Sequence, residues 1–476
     1  MKTNSRRKFL NNILAGSVGL GAINMLPSCT EQTKVVKISN ADLPVIDEAD
    51  ICVLGGSCTG VFAAIRAAQL GASVIIIEKQ NAFGGVATSS LVNIWHSLHD
   101  TEGKLQIIAG LTQETLDRLD IRGSVTKSPN PSSAFTFNSQ ELKIELDEMV
   151  LEANIKPYLH TLFSEPCLDE EGHLTGVVID NKSGRGIVKA KYFIDATGDG
   201  DLCFRLGLDN YTFDLLQPPT TCAHFENWND QEFYKLLKKH GAEFNIPDGF
   251  VWGAMTPATN IYMLAGTRVY KADCAIAKDL TRAEIDGRRQ IRAIMDMLRK
   301  YGAPDKIPGL VALPSYIGIR ETRHIKCLYQ TSDEDAMYGK HFDDAIANGS
   351  YRLDIHHQDK PGLTFRYLDG SEVYVRPGHP DQKGKWREKL EVDPTFYQVP
   401  LRSIIPQQYD NLMVAGRMLD AAIIAFSGIR VMVNMNQLGE AAGVASYLAL
   451  NQNKKIKDIA AKEVREVLKK GGSIII

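Results

Sequence analysis

The chain has 476 residues, too many for one simple core, which points to two or three domains. With 44% apolar and 23% charged residues it has the balance of a soluble globular protein, not of a disordered one. A formal net charge of −3 and the absence of a long basic run give nucleic-acid binding no electrostatic support.

The first thirty residues read as a leader. SRRKFL (5–10) sets paired arginines ahead of a moderately apolar stretch, ILAGSVGLGAINML (13–26). This looks like a twin-arginine export signal. The stretch is rich in glycine and too short to span a bilayer comfortably. It runs into LPSC (26–29), which resembles a lipobox ending at a lipidated Cys29. Residues 1–29 are therefore expected to direct export, and 30–47 to act as a tether. The expected location is the periplasmic side or the cell surface, with the membrane reached through a lipid anchor. None of the eight cysteines forms a C-x-x-C pair, so zinc and iron–sulfur spacings are absent and no metal is expected.

ADICVLGG (49–56) reads as a buried parallel strand running into glycines, and GVFAAIRAAQLGA (60–72) as a helix stopped at Gly71. SVIIIEK (73–79) reads as a second buried strand, completing a βαβ unit of about 30 residues. A glycine-rich loop, NAFGGVATSSLVN (81–93), follows. Residues 138–155 have the apolar stripe of a helix capped at Asn138 or Ser139. Residues 156–201 alternate between glycine turns and are expected to make a three-stranded excursion returning on YFIDATG.

Residues 206–394 differ in texture and hold most of the Pro, Trp and His. They are expected to form an inserted α+β substrate domain, with a helix over 281–302 and a hairpin turning at Asp369-Gly370. From 395 to 452 the first texture returns, with a strand at DNLMVAG (410–416) and one long helix over 427–452; residues 453–476 are read as a C-terminal tail or helix. The expected architecture is α/β: a discontinuous Rossmann-like domain over 48–205 and 395–452, plus the inserted domain.

The loop Gly55-x-Ser57-x-x-Gly60 sits between a strand and a helix, the context a dinucleotide fingerprint needs. Gly55 makes the turn, Gly56 and Ser57 keep the approach to a pyrophosphate small, and Gly60 lets the helix lie close to the strand. The helix N-terminus adds positive potential. Glu78 ends the next strand, eighteen residues past Gly60, and suits the ribose hydroxyls of an adenosine, with Lys79 beside it. Three later segments separate FAD from NAD. They are the FGG loop with Gly84 and Gly85, the ATGDGD strand end with Thr197, Gly198 and Asp199, and the AGR strand end with Gly416 and Arg417.

This order resembles the two-domain flavoproteins of the glutathione-reductase type, where a C-terminal segment completes the FAD site. FGGVATSSLVN, IDATGDGDL, IRETRHIKCLYQ (319–330), VPLRSIIP (399–406), NLMVAGR (411–417) and GIRVMVNMNQLGEAAGVAS (428–446) carry a closer likeness. They look like the FAD-dependent oxidoreductase family related to the flavin part of the heterodisulfide reductase A subunit, over roughly 48–450. Ser57 departs from that family's third glycine, Leu401 stands where an aromatic often precedes the arginine, and the cluster-ligating cysteines are missing.

The resemblance implies FAD, with the start of the last helix facing the flavin. Gly428, Ile429 and Arg430 suit that task, because a helix N-terminus or a cation stabilises a reduced flavin near N1. In RETR, Arg320 and Arg323 either orient a polar or anionic substrate or belong to an ion-pair network between domains. Glu321 or His324 is placed to take a proton as hydride leaves for flavin N5. Arg402 divides between scaffold and flavin contact. His96 and His99 stand as bases, as flavin attachment points or as structural histidines; their spacing with Asp100 also permits a metal on a helical turn. His356, His357 and His379 read as bystanders in loops. The expectation is an exported FAD-dependent oxidoreductase that takes hydride from a small polar substrate, a sugar or alcohol, and passes electrons to an unknown acceptor. An electron-transfer flavoprotein serving a redox partner is the alternative, and a lipoprotein holding FAD as ballast a third reading.

Overall fold

Short apolar runs that end at glycine build the central sheet of the computed structural model. It describes residues 43–127, 134–247, 251–357, 359–376 and 379–476. The leader, Cys29 and most of the tether lie outside the described residues. Strand β1 (Val45–Leu54) is followed by α1 (Cys58–Gln69) and β2 (Val74–Ile77). The strand therefore begins inside the segment expected to be tether. Helix α2 (Ser139–Glu152) carries an Asn138 cap, whose side chain accepts the Gln140 N–H. After it come β3 (Lys156–Tyr158), β4 (Leu162–Leu168), β5 (Leu174–Asn181) and β6 (Gly184–Asp195). Much later the chain returns as β7 (Leu412–Val414).

These form one seven-stranded sheet, in the order β3-β2-β1-β6-β5-β4, with β7 added beside the end of β6. Strands β3, β2, β1, β6 and β7 run parallel, and β4–β5–β6 is the antiparallel excursion. The register fixes where the strands stop. Leu54 pairs with both Ile77 and Asp195, and Val414 pairs with Asp195. Four strands thus end level, and the loops after them emerge on one edge. In open α/β sheets that carboxyl edge is where ligands bind.

The expected helix over 427–452 is two helices. A short one spans Ile423–Ile429, and α3 spans Met432–Gln452. Val431 between them is extended, at φ −65° and ψ 145°. No Pro marks the break and Gly428 lies inside the first helix, so propensity alone does not place it. Tertiary contacts impose it: Asp333 Oδ1 accepts the N–H groups of Ile424 and Ala425, and Arg430 is held by Asp354. Gly428 and Ile429 consequently lie buried inside the short helix and do not begin the long one.

Small residues let α3 reach α1. A Cβ on Gly439 would overlap the Thr59 carbonyl, and one on Gly443 the Ala63 carbonyl. The two helices can approach this closely only because both positions lack a side chain. Below this crossing Arg66 donates to Glu440 at 2.6 and 2.8 Å, and Glu440 also accepts the Leu111 N–H. The packing brings the N-termini of both helices to one cavity.

Much of 206–394 forms antiparallel sheets apart from the main one. Cys222–Glu226, Trp252–Met255, Ile261–Ala265 and Gly309–Ala312 make four strands. The helix Ala277–Tyr301 contributes Ile291, Ile294, Met295 and Leu298 to a small core with Phe225, Tyr262 and Leu264. Leu363–Arg366 and Ser371–Val375 pair as the expected hairpin, with Gly370 at φ +86° in its turn. Strand Leu353–His356 extends that sheet, and Leu353 itself joins the main core.

Candidate functional site

The loops on the carboxyl edge, the start of α3 and the strand Leu353–His356 enclose a cavity of about 410 Å³. Its first wall is the glycine loop. Gly55 has φ +101°, and a Cβ there would overlap the Ala196 carbonyl. Gly60 packs against the Gly55 carbonyl just as closely. These two glycines, with Gly56, shape the loop from behind; Ser57, Cys58 and Thr59 face the cavity. Ser57 caps α1: its Oγ accepts the Gly60 N–H at 3.4 Å, which leaves its hydroxyl proton available. Cys58 is buried, and burial pushes its thiol up to about 12, so it is not a thiolate.

Glu78 is tied to the same loop. Its carboxylate accepts the Gly56 N–H at 2.6 Å and the Gln80 N–H at 2.7 Å. Glu78 and Lys79 line the cavity, as do Gly84 and Gly85, both at positive φ. Gly84 donates its N–H to the Gly56 carbonyl, which locks the FGG loop onto the first one.

The ATGDGD loop forms the next wall. Asp195 is buried and accepts from the Thr197 N–H and hydroxyl and from the Cys203 N–H. Thr197, Gly198 and Asp199 line the cavity. Asp199 pairs with Arg417 and accepts from the Thr322 hydroxyl at 2.9 Å. Burial opposes its ionisation, yet Arg417 and Lys79 hold its carboxyl below the usual range. Asp201 beside it is pushed the other way, up to about 6, by burial and by the Asp199 charge.

The RETR segment divides. Arg320 lines the cavity and donates through Nη1 to the Pro218 carbonyl and the Thr220 hydroxyl. Thr322 and Arg323 clamp the ATGDGD loop instead. Arg323 donates to the Asp199 carbonyl at 2.9 Å and stacks on Phe204. Glu321 accepts the Gln217 N–H and faces His324 Nε2, while His324 Nδ1 donates to the Leu419 carbonyl. Neither Glu321, Arg323 nor His324 lines the cavity. Placed as they are, they are positioning groups for the loop and not proton acceptors in the cavity. Arg402 lies outside it too, exposed and paired with Asp344 at 2.8 Å.

His96 lines the cavity, stacked on Tyr351 with ring centroids 3.9 Å apart. Burial and then Arg352 push it down to about 3, so it is neutral near pH 7. It follows a two-residue strand and not a helical turn, and Asp100 is engaged by the Lys104 and Leu105 N–H groups. The geometry for a His96–His99–Asp100 metal site is therefore missing.

A second charged group was not legible as a site. Arg352, Asp354, His356 and Arg430 all line the cavity, and Arg268 lies behind them. Asp354 accepts from Arg430 at 3.0 Å and from the Tyr351 hydroxyl and His356 at 3.2 Å. Burial opposes its ionisation, but His356, Arg430 and Arg352 hold it far below the carboxylate range. Arg268 donates to His356 Nδ1, which puts the ring proton on Nε2, toward Asp354. A signal did exist: Arg352, Asp354 and His356 fall at every second residue, one face of a strand. His356 is accordingly a wall residue, not a bystander.

Several lining residues hold buried polar atoms without a partner among the described residues, including Ser89 Oγ, Ser90 Oγ, Arg417 Nε, Arg430 Nε and Asn436 Oδ1. Leaving such atoms unpaired costs about 1–3 kcal/mol each, so the cavity is suited to a polar ligand. Helix α3 starts at its edge with no side-chain cap, and Met432, Met435 and Asn436 line it.

A model of the FAD dependent oxidoreductase family matches residues 50–468. Thiamine thiazole synthase of Methanococcus aeolicus is 28% identical over 222 residues, which cover 45% of this chain and 77% of that protein. The mitochondrial dihydrolipoyl dehydrogenase of Schizosaccharomyces pombe is 29% identical over 107 residues, 20% of this chain and 21% of that protein. Among solved structures, a geranylgeranyl bacteriochlorophyll reductase-like protein from Thermoplasma acidophilum aligns at 12% identity with a TM-score of 0.45. It covers 89% of this chain, which in turn covers 83% of it.

Proposed function

Because this chain belongs to the FAD-dependent oxidoreductase family, we propose that it oxidises a small polar substrate, a sugar or other alcohol, within this cavity. The observation that carries the reading is a single cavity. It joins the Ser57 loop, the uncapped start of α3 and a set of charged side chains.

The residues present fit FAD. Close backbone approach at Gly55 and Gly60 leaves room for a pyrophosphate at the α1 N-terminus, where the Ser57 hydroxyl proton is free to be donated. Glu78 and Lys79 suit the adenosine side, and Arg417 with the orphaned Ser89 and Ser90 hydroxyls suits the polar atoms between. The uncapped amides of α3 and Arg430 suit the pyrimidine edge of a flavin. FAD, when bound, would supply the acceptor for the hydride, a proton with its two electrons, that leaves the substrate carbon.

The chain's own part is to orient and to exclude water. Arg320 and Arg352 present guanidinium donors to the cavity, and neutral His96 offers an imidazole nitrogen to a substrate hydroxyl. We further read the leader as directing export and lipid attachment at Cys29, with an unknown electron acceptor and with substrates met outside the cytoplasm. We also read the motifs as kin to the flavin part of the heterodisulfide reductase A subunit, without its clusters.

The test is anaerobic mixing of the FAD-loaded protein with a panel of sugars, polyols and sugar acids. Bleaching of the flavin absorbance by one of them is expected. No bleaching by any, together with fast reduction by a protein donor, would move the chain to the electron-transfer class.

A further inference from the structure

Near strand Leu353–His356 the charges do not balance. The guanidiniums of Arg320, Arg352 and Arg430 line the cavity; among the described residues Asp354 is the carboxylate beside them, with Glu78 and Asp199 on the glycine-loop side. That carboxylate is already occupied by Arg430, His356 and Tyr351. Among the described residues, Arg352 has aromatic neighbours and no ion pair: its guanidinium lies 3.9 Å from the centre of the Phe365 ring and 5.2 Å from that of Tyr351. Arg320 spends only Nη1, on a carbonyl and a hydroxyl.

Among the described residues, the neighbouring titratable groups do not supply the missing negative charge. Cys222, which faces Arg320, is neutral, because burial pushes its thiol up to about 12. His96 and His356 are held neutral by burial and by these same arginines. Arg320 itself is pushed down to about 9 by burial and by the repulsion of Arg268 and Arg430. Like charges enclosed together are costly unless a counter-ion joins them.

We propose that Arg320 and Arg352, beside the Arg430 that Asp354 already holds, form an oxyanion grip for the substrate. The enzyme would then act on a small anion that carries a carboxylate or phosphate beside its oxidisable alcohol carbon. This deepens the oxidoreductase reading and rests on it. Guanidiniums grip either oxyanion through paired N–H donors, and Phe365 and Tyr351 hold the plane of Arg352 in place. The Asp199–Arg417 pair serves the glycine-loop side of the cavity and leaves this grip to the substrate.

The experiment titrates the FAD-loaded full chain with glycolate, glycerol 3-phosphate and the neutral analogue glycolamide, reading the flavin absorption spectrum. A saturable spectral shift is expected with one of the two anions and none with glycolamide; which anion responds identifies the oxyanion. Arg352→Met is expected to weaken that binding by about 10- to 100-fold, the loss of a hydrogen bond to a charged group, with FAD content unchanged. A saturable shift with glycolamide as large as that with glycolate, or no response to either anion, would overturn the proposal. Loss of FAD from both Arg352→Met and Arg320→Met would also overturn it, by assigning the arginines to the cofactor. The titration needs no turnover. A failed substrate panel with a saturable anion shift sinks the oxidation reading alone, and bleaching by neutral polyols without anion binding sinks the grip alone.

Discussion

Arg417 is pressed against the backbone of Gly198, so that a Cβ on Gly198 would overlap its Nη1. Gly198 sits at φ +82°, and Arg417 reaches past it to Asp199. Two strand ends far apart in sequence, β6 and β7, are joined through this contact. Gly198→Ala therefore strains the backbone, by about 1 kcal/mol or more, and displaces the guanidinium from its carboxylate. Purified Gly198→Ala is expected to carry less flavin per protein and to melt lower. Wild-type flavin content and an unchanged melting temperature would remove Gly198 from the cofactor cradle.

His96 offers a prediction in pH. Its folded value lies far below that of an exposed imidazole, so it stays neutral from pH 5 to 9. The acid limb of kcat/KM, which reports the free enzyme, should therefore show no histidine-like break near 6.5 that His96 controls. His96→Asn is expected to lower kcat without moving the pH profile. A break near 6.5 that vanishes in this variant would contradict the burial and charge environment described.

Ser57 can be divided into two roles. As the cap of α1, its loss to alanine should cost the apoprotein about 1 kcal/mol, and its loss to glycine a few tenths. If the hydroxyl also donates to the pyrophosphate, both variants should bind FAD several-fold more weakly than wild type. Unfolding of apoprotein and FAD titration measure the two separately. Equal FAD affinity for Ser57→Gly and wild type would leave Ser57 as a cap that merely fits.

What was legible in the sequence was local. The strands running into Gly55, Gly198 and Gly416 announce themselves by unbroken apolar runs and terminal glycines, and their level ends follow from a parallel sheet. The reading weakened where tertiary contacts decide. The break at Val431 is imposed by Asp333 and Asp354, neither close in sequence, against residues with no intrinsic reason to stop a helix. Glu321 and His324 looked exposed to chemistry because they sit in a charged motif, yet their partners are Gln217 and Leu419, which only the fold brings near. Arg352, Asp354 and His356 were readable as a period-two row, but their short strand lies in a segment without strong strand signals.

The base of the helix pair is held by charge. Arg66 on α1 and Glu440 on α3 form a buried ion pair, 2.6 Å apart, beneath the glycine crossing that sets the two helix N-termini. Removing one partner strands the other, at a cost of about 3–5 kcal/mol. The two single changes should not be equal. Burial already raises the Glu440 value, so its neutral form is tolerated in the fold, whereas a buried guanidinium cannot shed its charge. In Arg66→Met, Glu440 loses the cation that favours ionisation and its folded value rises further above the unfolded one. Stability gained from the protonated form is then present below about pH 4.5 and is lost as pH climbs through the folded value. Denaturant unfolding of Arg66→Met between pH 4.5 and 8 should show a steeper decline with pH than wild type. The double variant Arg66→Met, Glu440→Leu, which buries no charge, should flatten that decline. A pH-independent loss in Arg66→Met, or a double variant as steep as the single one, would place the effect elsewhere than on the Glu440 carboxyl.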